Sequence, residues 1–252
     1  MSETQAGAEY VRAITALPAD RRTRSAFQDL VLRFASPGAS LFDFGAGPGI
    51  DARFYAERGF SVGAYDVDPV MCNYFSDYCG DLIQAGHIAL DSGTYRDFIG
   101  RCNSWGGRRP DLITSNFAPL NLIENLGELF RAFHALSAPQ GKVLASVLSP
   151  YYIGDMKYGW WWRNLARLWQ DGHYSVRGVQ APIVRRRLAD LAAQSAPYFT
   201  LTRVFSGCAL SSSRQTAGVH SKSPGRAAWL RLTTCRYMFL LFEKDPRAST
   251  NR

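Results

Sequence analysis

The stretch that most restricts the fold of this chain is Leu41-Phe42-Asp43-Phe44, running directly into Gly45-Ala46-Gly47-Pro48-Gly49. Helical spacing then resumes at Ile50, Phe54 and Tyr55. An apolar run that feeds a glycine turn and then a helix is the start of a βαβ unit. The next apolar run, Ser61-Val62-Gly63-Ala64-Tyr65, ends on the carboxylate Asp66. Glycines at 45, 47 and 49 allow the backbone to approach a ligand closely. An acid at the end of the neighbouring strand can accept both hydroxyls of a ribose.

The pattern continues. Pro69 opens a helix carrying Val70, Tyr74, Cys72 and Cys79, since proline suits a first turn. His87-Ile88-Ala89-Leu90 reads as a third strand ending at Asp91, and Asp111-Leu112-Ile113-Thr114 as a fourth. Residues 121–136 read as an amphipathic helix, and Lys142–Leu148 as a strand buried on both faces. Ahead of the glycine loop, Tyr10, Val11 and Ile14 mark one helix that Pro18 interrupts, and a second runs from Arg22 to Phe34. Beyond Pro150 the alternation breaks. A helix from Val184 to Gln194 and strands at 198–205 and 235–242 close the chain. Short connections and right-handed crossovers make this an α/β fold, a doubly wound, mostly parallel sheet with the ligand beyond the strands' carboxyl ends. Seven strands are expected, the last antiparallel. The chain reads as one domain: a helical cap over 1–37, a cofactor-binding half over 38–150, an aromatic insertion over 151–182, and a closing helix and strands over 183–245.

A dinucleotide loop would place its third glycine at position 50, where this chain has Ile50. The spacing is G-x-G-x-G, and Asp43 stands two positions before it. An anion-binding loop has little use for that carboxylate, whereas a ligand with an ammonium group tolerates it. The run Asp43–Gly49 resembles the glycine motif of class I S-adenosylmethionine-dependent methyltransferases, in particular those acting on small molecules. Gly63–Met71, Asp111–Phe117 and Ala138–Leu144 are similar to that family's second, fourth and fifth strand motifs, with Gln140 in place of a glycine.

The resemblance implies S-adenosyl-L-methionine as cofactor. It implies that Asp43, Gly45, Ala46 and Gly47 line the methionine moiety and that Asp66 holds the ribose. Val67 and Met71 would sandwich the adenine, with Asp91 and Ser92 at its edge. Asn116 and Phe117 would lie under the transferred methyl. Plainer roles compete: a helix cap for Asp66 and Asp91, core packing for Met71.

The segments after the fourth and fifth strands bear on the acceptor. Asn116-Phe117-Ala118-Pro119 lacks the Pro-Pro-aromatic stretch of nucleobase methylases, so Leu120 and Asn121 are expected in a small-molecule pocket. Tyr152, Trp160, Trp161, Arg163 and Tyr174 are the acceptor candidates in the insertion, with Arg167 and Arg177 as further cations for a carboxylate or phosphate. His173 is the candidate catalytic base. These residues point to O- or N-methylation of a small aromatic or acidic metabolite, as in natural-product biosynthesis. The competing account of the insertion is a lid packed on the sheet.

Charge leaves other functions open. Residues 1–150 hold 13 Lys+Arg against 16 Asp+Glu, whereas 151–252 hold 16 against 5, a net +11. A basic half suits an anionic membrane with a lipid or quinone acceptor, an RNA, or only a solvated surface. A non-catalytic, cofactor-binding regulator is a further alternative. The five cysteines include no CxxC pair, so reduced thiols and no metal site are expected. No signal-like or spanning segment is read, and a cytoplasmic protein is expected.

Overall fold

The computed structural model describes residues 17–102, 108–178, 181–207, 232–246 and 248. The expected helix around Tyr10, the Gly106-Gly107 loop, Cys208 and His220 lie outside the described residues. In order, the elements are α1 (Pro18–Phe34), β1 (Ser40–Phe44), α2 (Ile50–Ala56), β2 (Ser61–Asp66), α3 (Pro69–Tyr78), α4 (Gly80–Gln84), β3 (Ile88–Ser92) and α5 (Tyr95–Cys102). They continue with β4 (Leu112–Ser115), α6 (Leu126–Leu136), β5 (Lys142–Leu148), α7 (Gly159–Gln170), β6 (His173–Val176), β7 (Ile183–Arg186), α8 (Leu188–Ser195), β8 (Phe199–Ser206) and β9 (Tyr237–Lys244).

Seven strands form one sheet in the order β3-β2-β1-β4-β5-β9-β8. β1 pairs in parallel with β2 and β4, β2 in parallel with β3, and β8 antiparallel with β9. The chain reverses its direction of travel across the sheet between β3 and β4. That makes β1 and β4 the switch point, with the glycine loop at its edge. β6 and β7 form a separate antiparallel hairpin.

By its contacts the chain divides into two compact units, residues 1–116 with 135–142, and residues 117–134 with 143–252. The core of the first is aromatic. Tyr65 stacks on Phe98 at 4.4 Å between ring centroids, and Phe42 on Phe98 at 5.8 Å. Gly63 makes room for this, since a Cβ there would stand 2.8 Å from Phe42 Cδ2. In the second unit Phe130 meets Phe242 at 4.9 Å and Phe199 at 5.9 Å. Each such ring contributes about 1.5–3 kcal/mol by leaving water.

Three elements differ from the sequence expectation. The helix expected from Arg22 starts at Pro18, whose missing N–H falls on a position with no intrahelical partner. The helix expected from residue 121 starts at Leu126, with Pro119–Leu122 forming a 3₁₀ turn. The helix expected from Val184 starts at Leu188. Ile183–Arg186 is instead a strand, paired residue for residue with His173–Val176. Cys72, Cys79 and Cys102 are free and buried.

Candidate active site

The glycine loop is tied to the end of β2. The amides of Gly45 and Ala46 both donate to the Tyr65 carbonyl, at 2.9 and 3.0 Å. The Gly47 amide donates to Asp66 Oδ2 at 2.7 Å, and the Asp68 amide to Oδ1 at 2.9 Å. Asp66 is therefore oriented by backbone donors on both oxygens, each keeping a lone pair for a ribose hydroxyl. Burial raises its pKa, partly offset by these hydrogen bonds.

Gly47, with φ +54°, has nothing within 4 Å of where a Cβ would stand, so its face of the loop is open. Gly49 is the opposite case. At φ +83° its Cβ would stand 2.8 Å from both Cys79 Sγ and Phe75 Cδ2, so this glycine serves helix packing. The N–H groups of Gly45 and Ala46 are already committed. A ligand along this loop meets carbonyls, the open Gly47 face and the two carboxylates Asp43 and Asp66.

Asp43 is 2% exposed. The parallel register sets it opposite Thr114, whose hydroxyl donates to its Oδ1 at 2.9 Å. Burial first, then the nearby Asp51 carboxylate, push its pKa up to about 7. Asp51, in the first turn of α2, is a buried acid that sequence reasoning missed. It receives the Arg24 guanidinium, the Gln28 amide at 2.7 Å and the Asn116 amide at 3.0 Å. An acid in the first turn of a helix normally reads as a response to the helix dipole, which concealed this network. Tyr55 Oη, fully buried with both carboxylates as electrostatic neighbours, has no hydrogen-bond partner among the described residues. A deep carboxylate whose ionisation is opposed by burial and by Asp51, beside an open glycine face, suits a ligand whose cation would favour the ionised form.

The other cofactor candidates are placed as follows. Val67 is exposed and Met71 half-buried at the start of α3. Asp91 Oδ2 takes Arg101 Nε at 3.1 Å and Nη2 at 2.9 Å, and Arg101 also donates to the Ser92 carbonyl. Past β4, Phe117 and Ala118 have φ of +60° and +69°. Two successive non-glycine residues in this region store strain, as functional turns often do. Phe117 packs edge-on against Tyr237 at 5.7 Å.

Within the second unit the acceptor candidates separate into inward and outward groups. Asn121 spans two backbones, accepting from the Leu148 amide at 2.9 Å and donating to the Val184 carbonyl at 2.7 Å. Both polar ends are engaged in holding β5 against β7, and Leu120 is buried beside it. This departs from an acceptor-pocket role for the pair. His173 is exposed, its Nδ1 3.1 Å from the Asp171 carbonyl. Strand alternation puts it on the face opposite buried Tyr174. Arg163 is exposed on α7, as are Arg167 and Trp162. Tyr152 and Trp161 are half-buried, with Trp161 edge-on to Trp162 at 4.9 Å.

Trp160 and Tyr174 do meet, at 6.3 Å. The cation with them is Arg185, a residue within the helix expected from Val184; its guanidinium carbon lies 5.3 Å from the Trp160 ring centroid. Among the described residues, no group of three or more His, Cys, Asp or Glu is placed to hold a metal ion.

The strand order, the glycine loop at the switch point and the paired acids at the ends of β1 and β2 define a class I methyltransferase, the class whose cofactor is S-adenosylmethionine. A family described as "Methyltransferase domain" matches residues 19–195, and this chain belongs to it. Solved structures share the fold. A TehB-like S-adenosylmethionine-dependent methyltransferase from Corynebacterium glutamicum is 13% identical, with 96% of this chain and 98% of that one covered and a TM-score of 0.59. The 1,6-didemethyltoxoflavin-N1-methyltransferase of Burkholderia thailandensis, solved with 1,6-didemethyltoxoflavin and S-adenosylhomocysteine, is 18% identical over 95% and 87%, at a TM-score of 0.56. The CcbJ methyltransferase of Streptomyces caelestis is 14% identical over 90% of each chain, at 0.57. No protein of curated function matches the sequence.

Proposed function

We propose that this methyltransferase methylates an oxygen or nitrogen of a small aromatic or acidic metabolite, in natural-product biosynthesis. Residues 38–150 are assigned to the cofactor and 151–182 to the acceptor. The observation that carries the cofactor assignment is the Gly47 amide bonded to Asp66 at 2.7 Å beside an open loop face. Asp66 would take the ribose hydroxyls, Asp43 the ammonium, Val67 and Met71 the adenine faces, and Asp91 with Ser92 the adenine edge. S-adenosylmethionine, when bound, supplies a methyl on a sulfonium that is already an activated leaving group.

The chain's own contribution is alignment and exclusion of water. Asn116 is fixed by Asp51, and Phe117 and Ala118 follow it in a left-handed turn. The small-molecule acceptor is supported by the toxoflavin enzyme's bound acceptor and by the contact of half-buried Trp160 with buried Tyr174. Calorimetric titration with S-adenosylhomocysteine tests the site. Asp66→Ala is expected to lose about 10²-fold or more in affinity, by removing a charge-assisted pair of hydrogen bonds. Unchanged affinity would sink the ribose assignment.

A second reading, a lipid or quinone acceptor met at a membrane surface, is favoured by one observation. α7 exposes Trp162 and Trp169, at 54% and 73%, together with Arg163 and Arg167. Among the described residues no helix is long and apolar enough to cross a membrane, so contact would be interfacial. Sedimentation with phosphatidylglycerol vesicles, but not phosphatidylcholine vesicles, and its loss in the Trp162→Ala/Trp169→Ala variant would favour this reading. No binding to either removes it.

A further inference from the structure

Asp51 stands in the first turn of α2, directly after the glycine loop, yet it is withdrawn from water. Three side chains from two other parts of the first unit converge on its carboxylate. From α1 the Gln28 amide donates to Oδ1 at 2.7 Å, and the Arg24 guanidinium donates to Oδ2. From the residue after β4, the Asn116 amide nitrogen donates to the same Oδ2 at 3.0 Å. Gln28 and Asn116 are buried as well.

A carboxylate that served only the dipole of α2 could do so from the surface. Taking it out of water is costly, and three donors, one of them cationic, offset that cost. A structural tie between α1 and α2 needs only Arg24 and Gln28. It does not account for the third bond, which runs to neither helix but to Asn116, at the carboxyl end of β4. That strand pairs with β1 at the switch point, where the fold places its ligand.

The third bond also has a direction. Asn116 gives its amide nitrogen to a carboxylate, which accepts but does not donate. Turning the amide over would break a charge-assisted hydrogen bond and set an oxygen against a buried carboxylate. One orientation of the Asn116 amide is therefore held, immediately before the left-handed turn at Phe117 and Ala118.

Resting on the assignment of Asn116 to the cofactor made above, we propose that Asp51 is a positioning residue for methyl transfer: it holds the Asn116 amide in one orientation beside the cofactor, while Arg24 and Gln28 hold Asp51 itself.

Two substitutions separate the hydrogen bond from the charge. Asp51→Asn keeps a carbonyl oxygen in the place of Oδ2, to accept from Asn116 and Arg24, and the Gln28 amide can turn over to accept from the new nitrogen. Asp51→Ala keeps neither bond nor charge. Calorimetric titration of the full chain with S-adenosylhomocysteine at pH 8 is expected to show a loss of about 10-fold for Asp51→Ala, a similar loss for Asn116→Ala, and less than about threefold for Asp51→Asn. In an Asn116→Ala background, Asp51→Ala is expected to cost less than about a further twofold, because the residue it acts through is gone. Equal Asp51→Ala losses in the two backgrounds, an Asp51→Asn loss as large as that of Asp51→Ala, or an Asn116→Ala variant that binds like the natural chain overturns the proposal.

A second measurement needs no ligand. In proton–nitrogen NMR correlation spectra the Asn116 side-chain pair is identified by its absence from Asn116→Ala. Its two proton resonances are expected to be widely separated in the natural chain and in Asp51→Asn, and to move toward those of a free amide in Asp51→Ala. An unchanged pair in Asp51→Ala would show that Asp51 does not orient the amide, and the positioning role is then refuted. Should Asp51→Ala fail to fold, Asp51→Ser, whose side chain is too short to reach Asn116, takes its place in both measurements. Asp66→Ala is the control on the underlying reading. If the natural chain does not bind S-adenosylhomocysteine, or Asp66→Ala binds it undiminished, the cofactor reading fails and this proposal falls with it. If that control behaves as expected and the Asp51 results do not, only the positioning role is lost.

Discussion

Replacing Asp43 by Asn tests the reasoning about the buried acid cluster most directly. Asn keeps the side chain's shape, and its carbonyl can still accept the Thr114 hydroxyl that now reaches Oδ1 at 2.9 Å. What it removes is the ionisation. Burial, followed by the Asp51 charge, raises the Asp43 pKa from 3.8 to about 7, with Thr114 and Arg24 acting in the opposite sense. Between those two pH values the folded chain holds a proton that the unfolded chain has released. Stability therefore falls as pH rises, and the loss is complete above about pH 7. At 1.36 kcal/mol per pH unit the full penalty is about 4 kcal/mol, of which about 3 kcal/mol develops between pH 5 and 8.

Urea unfolding of both proteins at these two pH values isolates the effect of Asp43 and of the neighbours its charge acts on, since more distant titrating groups cancel between them. The stability of Asp43→Asn relative to the natural chain is expected to improve by about 3 kcal/mol from pH 5 to pH 8. A difference that stays constant within about 0.5 kcal/mol, or that grows toward low pH, would show that Asp43 is ionised normally and the buried-cluster argument is wrong. The same variant is expected to bind S-adenosylhomocysteine more weakly at pH 8, because an amide offers no charge to an ammonium.

Gly49→Ala is expected to lose about 2–4 kcal/mol in denaturant unfolding, since its Cβ would meet Cys79 Sγ and Phe75 Cδ2 at 2.8 Å with φ at +83°; a loss below about 0.5 kcal/mol would show that the loop relaxes freely. His173→Ala is expected to change the methyl-transfer rate less than about twofold, because the ring is exposed and engages only the Asp171 carbonyl. A loss of about 10²-fold, the size of a general-base effect, would restore it as the base.

The framework was legible because it is written in local periodicity. The runs at 40–44, 61–66, 88–92 and 142–148 are short, apolar and punctuated by glycine, proline or acid, and they became the strands expected of them. The errors fell where one residue pattern admits two periods. Ile183-Val184-Arg185-Arg186 fits the start of a helix as well as a strand, and only pairing with His173–Val176 decides between them. That single difference hid Arg185, because a helical register would not have set it opposite Tyr174. Asn121 shows a different limit: a polar residue after the fourth strand resembles a pocket residue until its two backbone partners, Leu148 and Val184, are seen.

By itself the sequence determined the parallel α/β framework, the glycine loop with its flanking acids Asp43 and Asp66, and through them the methyltransferase class. Those features depend on neighbours within a few residues or on one strand-to-strand step, so spacing is enough to specify them. Tertiary structure alone decided which polar groups share a buried space. Asp51 meets Arg24, Gln28 and Asn116 across 23 to 65 residues of chain. Of the described arginines after residue 150, Arg185 and Arg186 are both withdrawn from water, and it is Arg185 that meets Trp160 and Asp155. Burial and charge pairing are properties of distance in space, and the chemistry available to the site, above all a carboxylate whose pKa burial pushes up to about 7, arises from them.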